Sequence, residues 1–459
     1  MDESRRKFIQ YTAAVGLGFL GLRTFCAGEA LADPAAVGYG PLIPDPKKIF
    51  DLPRGFSYQV ISEKGQTMAD GFYVPAAPDA MATFPGPGGK TLIIRNHELN
   101  PDKPELGAFG KNHELLPKID RAKMYDYGKG KMPGLGGTTT LVYDTTSRKL
   151  ESQFLSLAGT HRNCAGGLTP WNTWITCEET VQKAENDIEK DHGYVFEVPV
   201  SAQPGLADPV PLKGMGRFNH EAVSVDPASG VVFLTEDRPD GLIYRYIPVT
   251  PGKLAAGGRL QALSIRDMKS AETANAGATR TIPVGKPLET AWLDIDHIDS
   301  PDDDLRTRGF AKGAANFARG EGMWYGNKAV YFAATIGGRK QKGQIWRYLP
   351  SPDEGKPEET KNPGKLELFA EPDNAKILEL ADNITVAPWG DLIICEDGAG
   401  EDFLHGLTPQ GQFYKIGRNA LNIEELSGAC FSPDGSTLFV NMQGAGLTLA
   451  ITGPWRKAG

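Results

Sequence analysis

Short apolar runs of four or five residues recur along the chain, separated by Gly, Pro, Asn and Asp turn signals, and few stretches keep a helical period. The pattern predicts strands. One unit repeats: a polar turn, a short strand, a hairpin signal, then a second apolar strand that ends on polar or acidic groups. Its copies run from Asn163-Cys164 to Cys177-Glu178-Glu179, from His220-Glu221 to Thr235-Glu236-Asp237, and from Gly320-Glu321 to Ala333-Ala334-Thr335. Two more run from Asp382-Asn383 to Cys395-Glu396-Asp397 and from Ser427-Gly428 to Val440-Asn441, with a weaker copy at Arg95-Asn96-His97-Glu98. The first polar residue precedes the second by 13 to 15 positions. Several copies continue into an aromatic third strand, such as Leu242-Ile243-Tyr244-Arg245-Tyr246.

Such units with uneven insertions predict an all-β fold, a six-bladed β-propeller with inserted loops and short helices. A two-sheet sandwich is the structural rival. The propeller is favoured because it brings equivalent positions of every unit to one axis, and the polar residues recur at equivalent positions. Insertions are expected at 102–134, 250–288 and 351–365, and a proline-rich arm at 33–52.

Laid over one another, the units place Cys164, Glu221, Glu321 and Asn383 in an upper tier facing the axis. A lower tier holds Glu178 or Glu179, Glu236 or Asp237, Glu396, Asp397 and Asn441. Converging buried carboxylates need cations, since each unpaired one costs several kcal/mol. Oxygen donors suit calcium, and one thiolate among them suggests a transition metal, iron or zinc. A single acid pair after a strand is usually solvated; three in register argue against that. Asp302-Asp303-Asp304 reads as a solvated charge run, and His97 and His220 as hydrogen-bonded histidines, while His161 is close enough to Cys164 to line the site. No nucleophile elbow, P-loop, zincin or dinucleotide motif is present. Arg162, Arg238, Arg319 and Arg339 lie beside the acids or near them, and a guanidinium fork beside metals points to phosphoester chemistry. Pairing with the acids is their plainer alternative.

The 459 residues are 40% hydrophobic and 23% charged, with 55 Gly and 34 Pro and a net charge of -8. That charge excludes a polyanion-binding surface, so nucleic acid is not expected. Ser4-Arg5-Arg6-Lys7-Phe8 followed by an apolar stretch and Ala30-Leu31-Ala32 predicts a twin-arginine signal over 1–32, hence the twin-arginine export machinery as a partner and a periplasmic or secreted protein. No other stretch is apolar enough to span a membrane, and a monomer without stable membrane association is expected. The mature chain would be one domain, 33–459. Of the cysteines remaining, Cys164, Cys177, Cys395 and Cys430 allow two disulfides in principle. Cys430 reads as a small core residue, and Cys164 as a thiolate ligand.

These motifs resemble the PhoX-type alkaline phosphatases. The resemblance rests on the twin-arginine signal, Asn163-Cys164-Ala165-Gly166-Gly167 with Thr169-Pro170-Trp171 and Thr176-Cys177-Glu178-Glu179, Asn219-His220-Glu221, Arg319-Gly320-Glu321-Gly322 with Trp324-Tyr325, and Cys395-Glu396-Asp397-Gly398. It implies an iron pair, ferric in both members, and calcium ions on a propeller axis, acting on small phosphoester substrates. By resemblance Cys164 and Glu221 would bind iron with Glu178 and Glu179 close by, and Glu236 or Asp237, Glu321, Glu396 and Asp397 would complete the cluster. Arg319 would bind phosphate, with Arg162 as a second catalytic arginine. The last unit departs from the family pattern, reading Asn441-Met442-Gln443-Gly444-Ala445-Gly446 where a histidine and proline are expected after the glutamine. Two other readings stay open: a calcium-dependent phosphotriesterase or lactonase-like propeller, and a non-catalytic secreted propeller.

Overall fold

A computed structural model describes residues 37–276 and 282–457, so the expected signal at 1–32 and Cys26 lie outside the described residues. The fold is all-β and propeller-like, built from antiparallel sets of strands that follow the chain. The first set is Pro78–Pro85, Thr91–His97, Gly136–Asp144 and Lys149–Thr160, and the second is Asn163–Leu168, Thr173–Glu178 and Val195–Pro199. A broad sheet starts at His220–Val225, Val232–Glu236, Gly241–Pro248, Gly258–Ile265 and Leu288–Asp294 and ends at Lys365–Ala370, Gln344–Leu349, Ala329–Ala334 and Gly320–Gly326. Its two halves are joined as one sheet by a short pairing of Leu288 with Leu366 and Glu289 with Lys365. The remaining sets start at Ala381–Val386 and at Leu426–Phe431.

The second strands are buried on both faces: every residue of Val232–Glu236 and Leu392–Glu396 is buried. A strand apolar on both faces is stable only between two other sheets. The sets therefore pack face to face, with Trp174, Phe196, Phe233, Phe332 and Trp346 filling the space between them. The innermost strands contact one another in cyclic order, Pro78–Pro85 with Asn163–Leu168 and so on around to Leu426–Phe431, which returns to Pro78–Pro85. Ser57–Glu63 pairs with Leu447–Thr452, so the two ends of the described chain share one sheet and leave no loose edge between them.

Two sequence expectations change. The stretch 250–288 is not only insertion: Gly258–Ile265 is a full strand paired with Gly241–Pro248. Its flanking Gly and Lys residues mimic a loop. The arm at 33–52 does more than drape, since Phe50–Pro53 pairs with Phe413–Asn419 and carries Leu42–Ile43 on its outer side. The Asp302-Asp303-Asp304 run precedes the α-helix Leu305–Lys312; Asp302 is exposed, as expected of a solvated run, but the other two acids are paired. Asp303 meets Arg238 and Arg306, and Asp304 meets Arg308.

Candidate metal centre

Each innermost strand carries an irregularity at its beginning. Pairing with the second strand jumps from Pro78 to Met81, Asn163 to Gly166, His220 to Val223, Gly320 to Met323, Ala381 to Ile384 and Ser427 to Cys430. A bulge of this kind bends the strand and re-aims its unpaired residues. The first residue inside each jump is Asp79, Cys164, Glu221, Glu321, Asp382 and Gly428. The equivalent of Glu221 is thus Asp382, not Asn383 as the sequence alignment of units had it. Asn383 instead accepts a hydrogen bond from Gly428 N–H at 2.7 Å, tying one innermost strand to the next.

With Glu98, Glu179 and Glu425 from beside the strand ends, the bulge residues form three groups, two of which share Glu221, and in each the ligand atoms lie within 4.8 Å of one another. They are Cys164 with Glu179 and Glu221, Glu221 with Glu321 and Asp382, and Asp79 with Glu98 and Glu425. Beyond them the axis narrows to a cavity of about 20 Å³ lined by Ala80, Ala165, Ala222, Gly322 and Gly428 among others. A Cβ on Gly322 would lie 2.6 Å from the Asp382 carbonyl oxygen and 2.8 Å from Asn383 Cα, so the close approach of these two strands requires glycine.

Crowding of acids in excess of the two nearby arginines sets the electrostatics. Burial and then the neighbouring Glu179, Asp382 and Asp79 push Glu221 well above the usual carboxylate range. Glu321 is raised by burial and by Asp237, Glu221 and Asp382. Asp382 is pushed up to about 7 by burial and Asp397. Glu179 rises to about 8, burial being the largest cause and Glu98 adding to it against the charge of Arg162. Burial also raises the Cys164 thiol well above its ordinary value, and Glu221 raises it further. Asp79 is 3% exposed, yet its Oδ1 has no hydrogen-bond partner. A buried acceptor without a donor, among carboxylates and one thiol that raise one another's proton affinity, is the environment that a multivalent cation neutralises. The residues present fit hard cations in the all-oxygen groups, and a softer transition metal where the thiol joins.

Two arginines face this cluster from equivalent positions, each just before an innermost strand. Arg162 and Arg319 both hold left-handed backbone conformations, with φ of 46° and 58°. Non-glycine residues adopt that region at a cost of about 1 kcal/mol or more, and it recurs at functional sites. The turn is held by a backbone bond in each case: Glu179 N–H donates to Arg162 O at 3.0 Å, and Thr335 N–H to Arg319 O at 2.9 Å. Arg319 grips Asp237 through Nε and Nη2, both at 2.7 Å, and reaches Glu321 at 2.7 Å with Nη2. Its Nη1 carries no hydrogen bond to the described residues, and the side chain is 34% exposed. Arg162 bridges Glu98, at 2.5 Å, and Glu179.

The sequence profile described as Alkaline phosphatase PhoX matches residues 37–150 and 136–446. The chain belongs to the PhoX alkaline phosphatase family. Among solved structures, Pseudomonas fluorescens PhoX in complex with vanadate, a transition state analogue, aligns over 90% of this chain and 97% of its own with a TM-score of 0.63 at 17% identity. A gluconolactonase from Xanthomonas campestris aligns over 90% of this chain and 98% of its own, with a TM-score of 0.38 at 12% identity. The periplasmic gluconolactonase of Pseudomonas aeruginosa covers 88% and 98%, with a TM-score of 0.40 at 12% identity. Among curated protein sequences no significant relative matches.

In this PhoX-family chain the sequence-derived residues divide into two classes. Cys164, Glu179, Glu221 and Glu321 enter the acid groups, and Asp237 and Asp397 border them through Arg319 and Glu425. Glu178, Glu236 and Glu396 do not enter them; hydrogen bonds inside the strand sets hold them, although Glu236 Oε1 has no hydrogen bond of its own and faces Arg306 Nη1 at 3.6 Å. Glu178 accepts from His161 N–H at 2.9 Å, Gly193 N–H at 2.9 Å and His192 Nδ1 at 2.6 Å. Glu236 accepts from Leu242 N–H at 3.2 Å and Tyr244 OH at 2.9 Å. Glu396 accepts from Glu379 N–H at 2.7 Å and Phe403 N–H at 2.9 Å. Asn441 bonds Asp79 O and Thr448. His97 and His220 are hydrogen-bonded to Ala76 O and Gly216 O, and His161 stacks on His192 with ring centroids 3.6 Å apart. The four cysteines among the described residues are free and buried.

Asp79, Glu98, Asp382 and Glu425 complete the cluster and were absent from the sequence-derived set. Both Glu98 and Asp382 stand inside the repeats, Asp382 one position from Asn383 and Glu98 at the end of the weak copy from which no residue is taken. Asp79 follows the proline-rich Pro75-Ala76-Ala77-Pro78, which hides the beginning of its strand. Glu425 lies before its strand rather than in it and has no periodic signal.

Proposed function

We propose that this chain hydrolyses phosphomonoesters at iron and calcium ions held on the axis of a six-bladed β-propeller. The blade count is supported by six innermost strands in cyclic contact and by the narrow seam that divides the broad sheet. The observation that carries the chemical reading is the sharing of Glu221 between a thiol-containing group and an all-carboxylate group. Cys164, Glu179 and Glu221 would hold iron, for which a thiolate is a suitable donor. Glu321 and Asp382, with Glu221, and the separate group of Asp79, Glu98 and Glu425, would hold calcium. Bound there, the ions would supply positive charge toward the transferring phosphoryl group and activate the attacking water.

The protein's own part is orientation and charge. Arg319 presents a guanidinium edge with Nη1 free to bond a phosphoryl oxygen, while Asp237 and Glu321 fix the opposite edge so that little is reorganised on binding. Arg162, fastened by Glu98 and Glu179, adds a second positive charge on the same face. The family's name and the vanadate complex of its Pseudomonas relative support the phosphatase reading.

The same reading keeps 1–32 as a twin-arginine signal and 33–459 as one catalytic unit that works as a monomer in the periplasm or outside the cell. Changing Arg5 and Arg6 to lysine should hold the protein inside the cell. The central test is elemental analysis with p-nitrophenyl phosphate turnover on protein matured through its own export route. Iron with calcium and phosphate release supports the proposal. Calcium alone, with lactone or phosphotriester hydrolysis, would instead support the calcium-dependent reading, against which Cys164 in the cluster argues. A fully metallated but inert protein leaves a non-catalytic propeller.

A further inference from the structure

Beside the acid cluster, between the second and third strand sets, lies a cleft of about 510 Å³ lined by Arg162, Glu179, Thr180, Gln182, Asn219 and Arg238. It shares Glu179 with the thiol-containing group, so a molecule bound at the cluster extends into it directly. Its volume falls in the range of small-molecule pockets, about 300–1,000 Å³. Most of its lining can donate hydrogen bonds, and the only apolar side chain in it is Val181.

The two arginines of the cleft differ in how far their charge is answered. Arg162 is held by two carboxylates, Glu98 and Glu179. Arg238 has one, Asp303 at 3.3 Å, and that carboxylate is shared with Arg306, which binds it at 2.9 Å. The other partner of Arg238 is the neutral Asn219 Oδ1 at 3.0 Å. Arg238 Nε is buried with no hydrogen-bond partner at all. Gln182, also in the lining, has its Oε1 engaged by His161 Nδ1 at 3.0 Å, which leaves its NH₂ as a donor. A guanidinium with an unmet donor and a partly answered charge, lining a polar cleft together with amide donors, recognises an anion.

We propose that this cleft binds the leaving group of the phosphoester and selects alcohols that carry a second anionic group. The inference rests on the phosphomonoesterase reading. Arg162 and Arg319 stand at the cluster itself, whereas Arg238, next after Asp237, lines the adjoining cleft. The chain then favours doubly anionic metabolite esters over simple ones.

The test uses two substrates that release the same type of primary alcohol and differ in one carboxylate, 3-phosphoglycerate and glycerol 3-phosphate. The wild-type holoenzyme should show a kcat/KM ratio above one in favour of 3-phosphoglycerate. Arg238→Gln should lower that ratio about tenfold, mainly through KM, and Arg238→Lys should recover most of it. Because Arg238→Gln also loses the Asp303 pair, a second measurement needs no variant. Raising ionic strength from about 0.05 M to about 0.5 M should move the wild-type ratio toward one as the second charge is screened. A wild-type ratio at or below one, a ratio unmoved by Arg238→Gln, or a ratio insensitive to salt overturns the cleft assignment while phosphatase activity stands. Fully metallated wild type that hydrolyses neither ester overturns the phosphatase reading, and this inference with it.

Discussion

Glu178 and Glu221 lie on strands that touch, both are buried, and they differ in what surrounds their carboxylates. Burial pushes Glu178 up, but the charge of His192 and its hydrogen bond outweigh this and hold the group below its ordinary value, with backbone N–H groups adding to the effect. His192 in turn is raised to about 9 against its burial by Glu178 and by Asp126. Glu221 has neither a histidine nor backbone donors of this kind; burial and the acids Glu179, Asp382 and Asp79 push it upward, against a single hydrogen bond from the Cys164 thiol. Glu236 falls between the two, raised to about 7 by burial although Arg306 and the Leu242 N–H oppose it. The comparison teaches that an acid at a strand end can be neutralised from within its own sheet by oriented N–H groups and a histidine. Acids turned toward the axis by a bulge leave that supply behind and need an external cation.

The largest effect that tests this contrast is expected at Glu221. Glu221→Gln removes the acid common to two groups, and phosphatase activity should fall on the order of a thousandfold with parallel loss of iron and calcium by elemental analysis. Retention of both metals would break the comparison. Arg319→Ala should cost on the order of a hundredfold in kcat/KM with metal content unchanged, and Arg319→Lys should not restore it, because an ammonium cannot span Asp237, Glu321 and a phosphoryl oxygen at once.

Glu178→Gln should do the reverse of Glu221→Gln. It strips the partner from a buried imidazolium and should destabilise the fold by about 3 kcal/mol in denaturant unfolding, while the folded fraction keeps its metals. A variant that folds as tightly as the wild type but loses metal would place Glu178 with the ring acids after all.

The smallest effect is a slope in pH. In metal-free protein Asp382 and Glu179 have folded values near 7 and 8, above those of an unfolded chain near 4. The native state then binds more protons than the unfolded state between these values, so stability is greatest toward the acidic end and is lost as pH rises through about 7 to 8. Chemical denaturation of chelated protein across this range should show the fall, and reloading with calcium should flatten it. A metal-free protein that grows more stable from pH 5 to 8 would contradict the crowding described for the ring.

Much of the arrangement is legible in the sequence because it rests on local chemistry. The apolar runs between turn signals mark the second strands, and Val232–Glu236 and Leu392–Glu396 lie where their pattern puts them. Cys164, Glu221 and Glu321 are legible because they recur at one place in each unit. Gly258–Ile265 was missed because its flanking residues resemble a loop, and Asp79 because prolines mask the beginning of its strand.

By itself the sequence determined that the chain folds into repeated antiparallel units and that acids gather near the beginnings and ends of particular strands. Strand periodicity and turn chemistry are local, so no tertiary information was needed for either. Only the tertiary structure decided which acid of each adjacent pair faces the axis. For Asp382 against Asn383 the choice depends on the bulge between Ala381 and Ile384, where one extra residue reverses the side that a side chain takes. For the pairs at the ends of the second strands it depends on pairing, since Glu178, Glu236 and Glu396 are the last paired residues opposite Asn163, His220 and Ala381. Asp382 therefore joins Glu221 and Glu321, while Glu178, Glu236 and Glu396 turn into their own sheets.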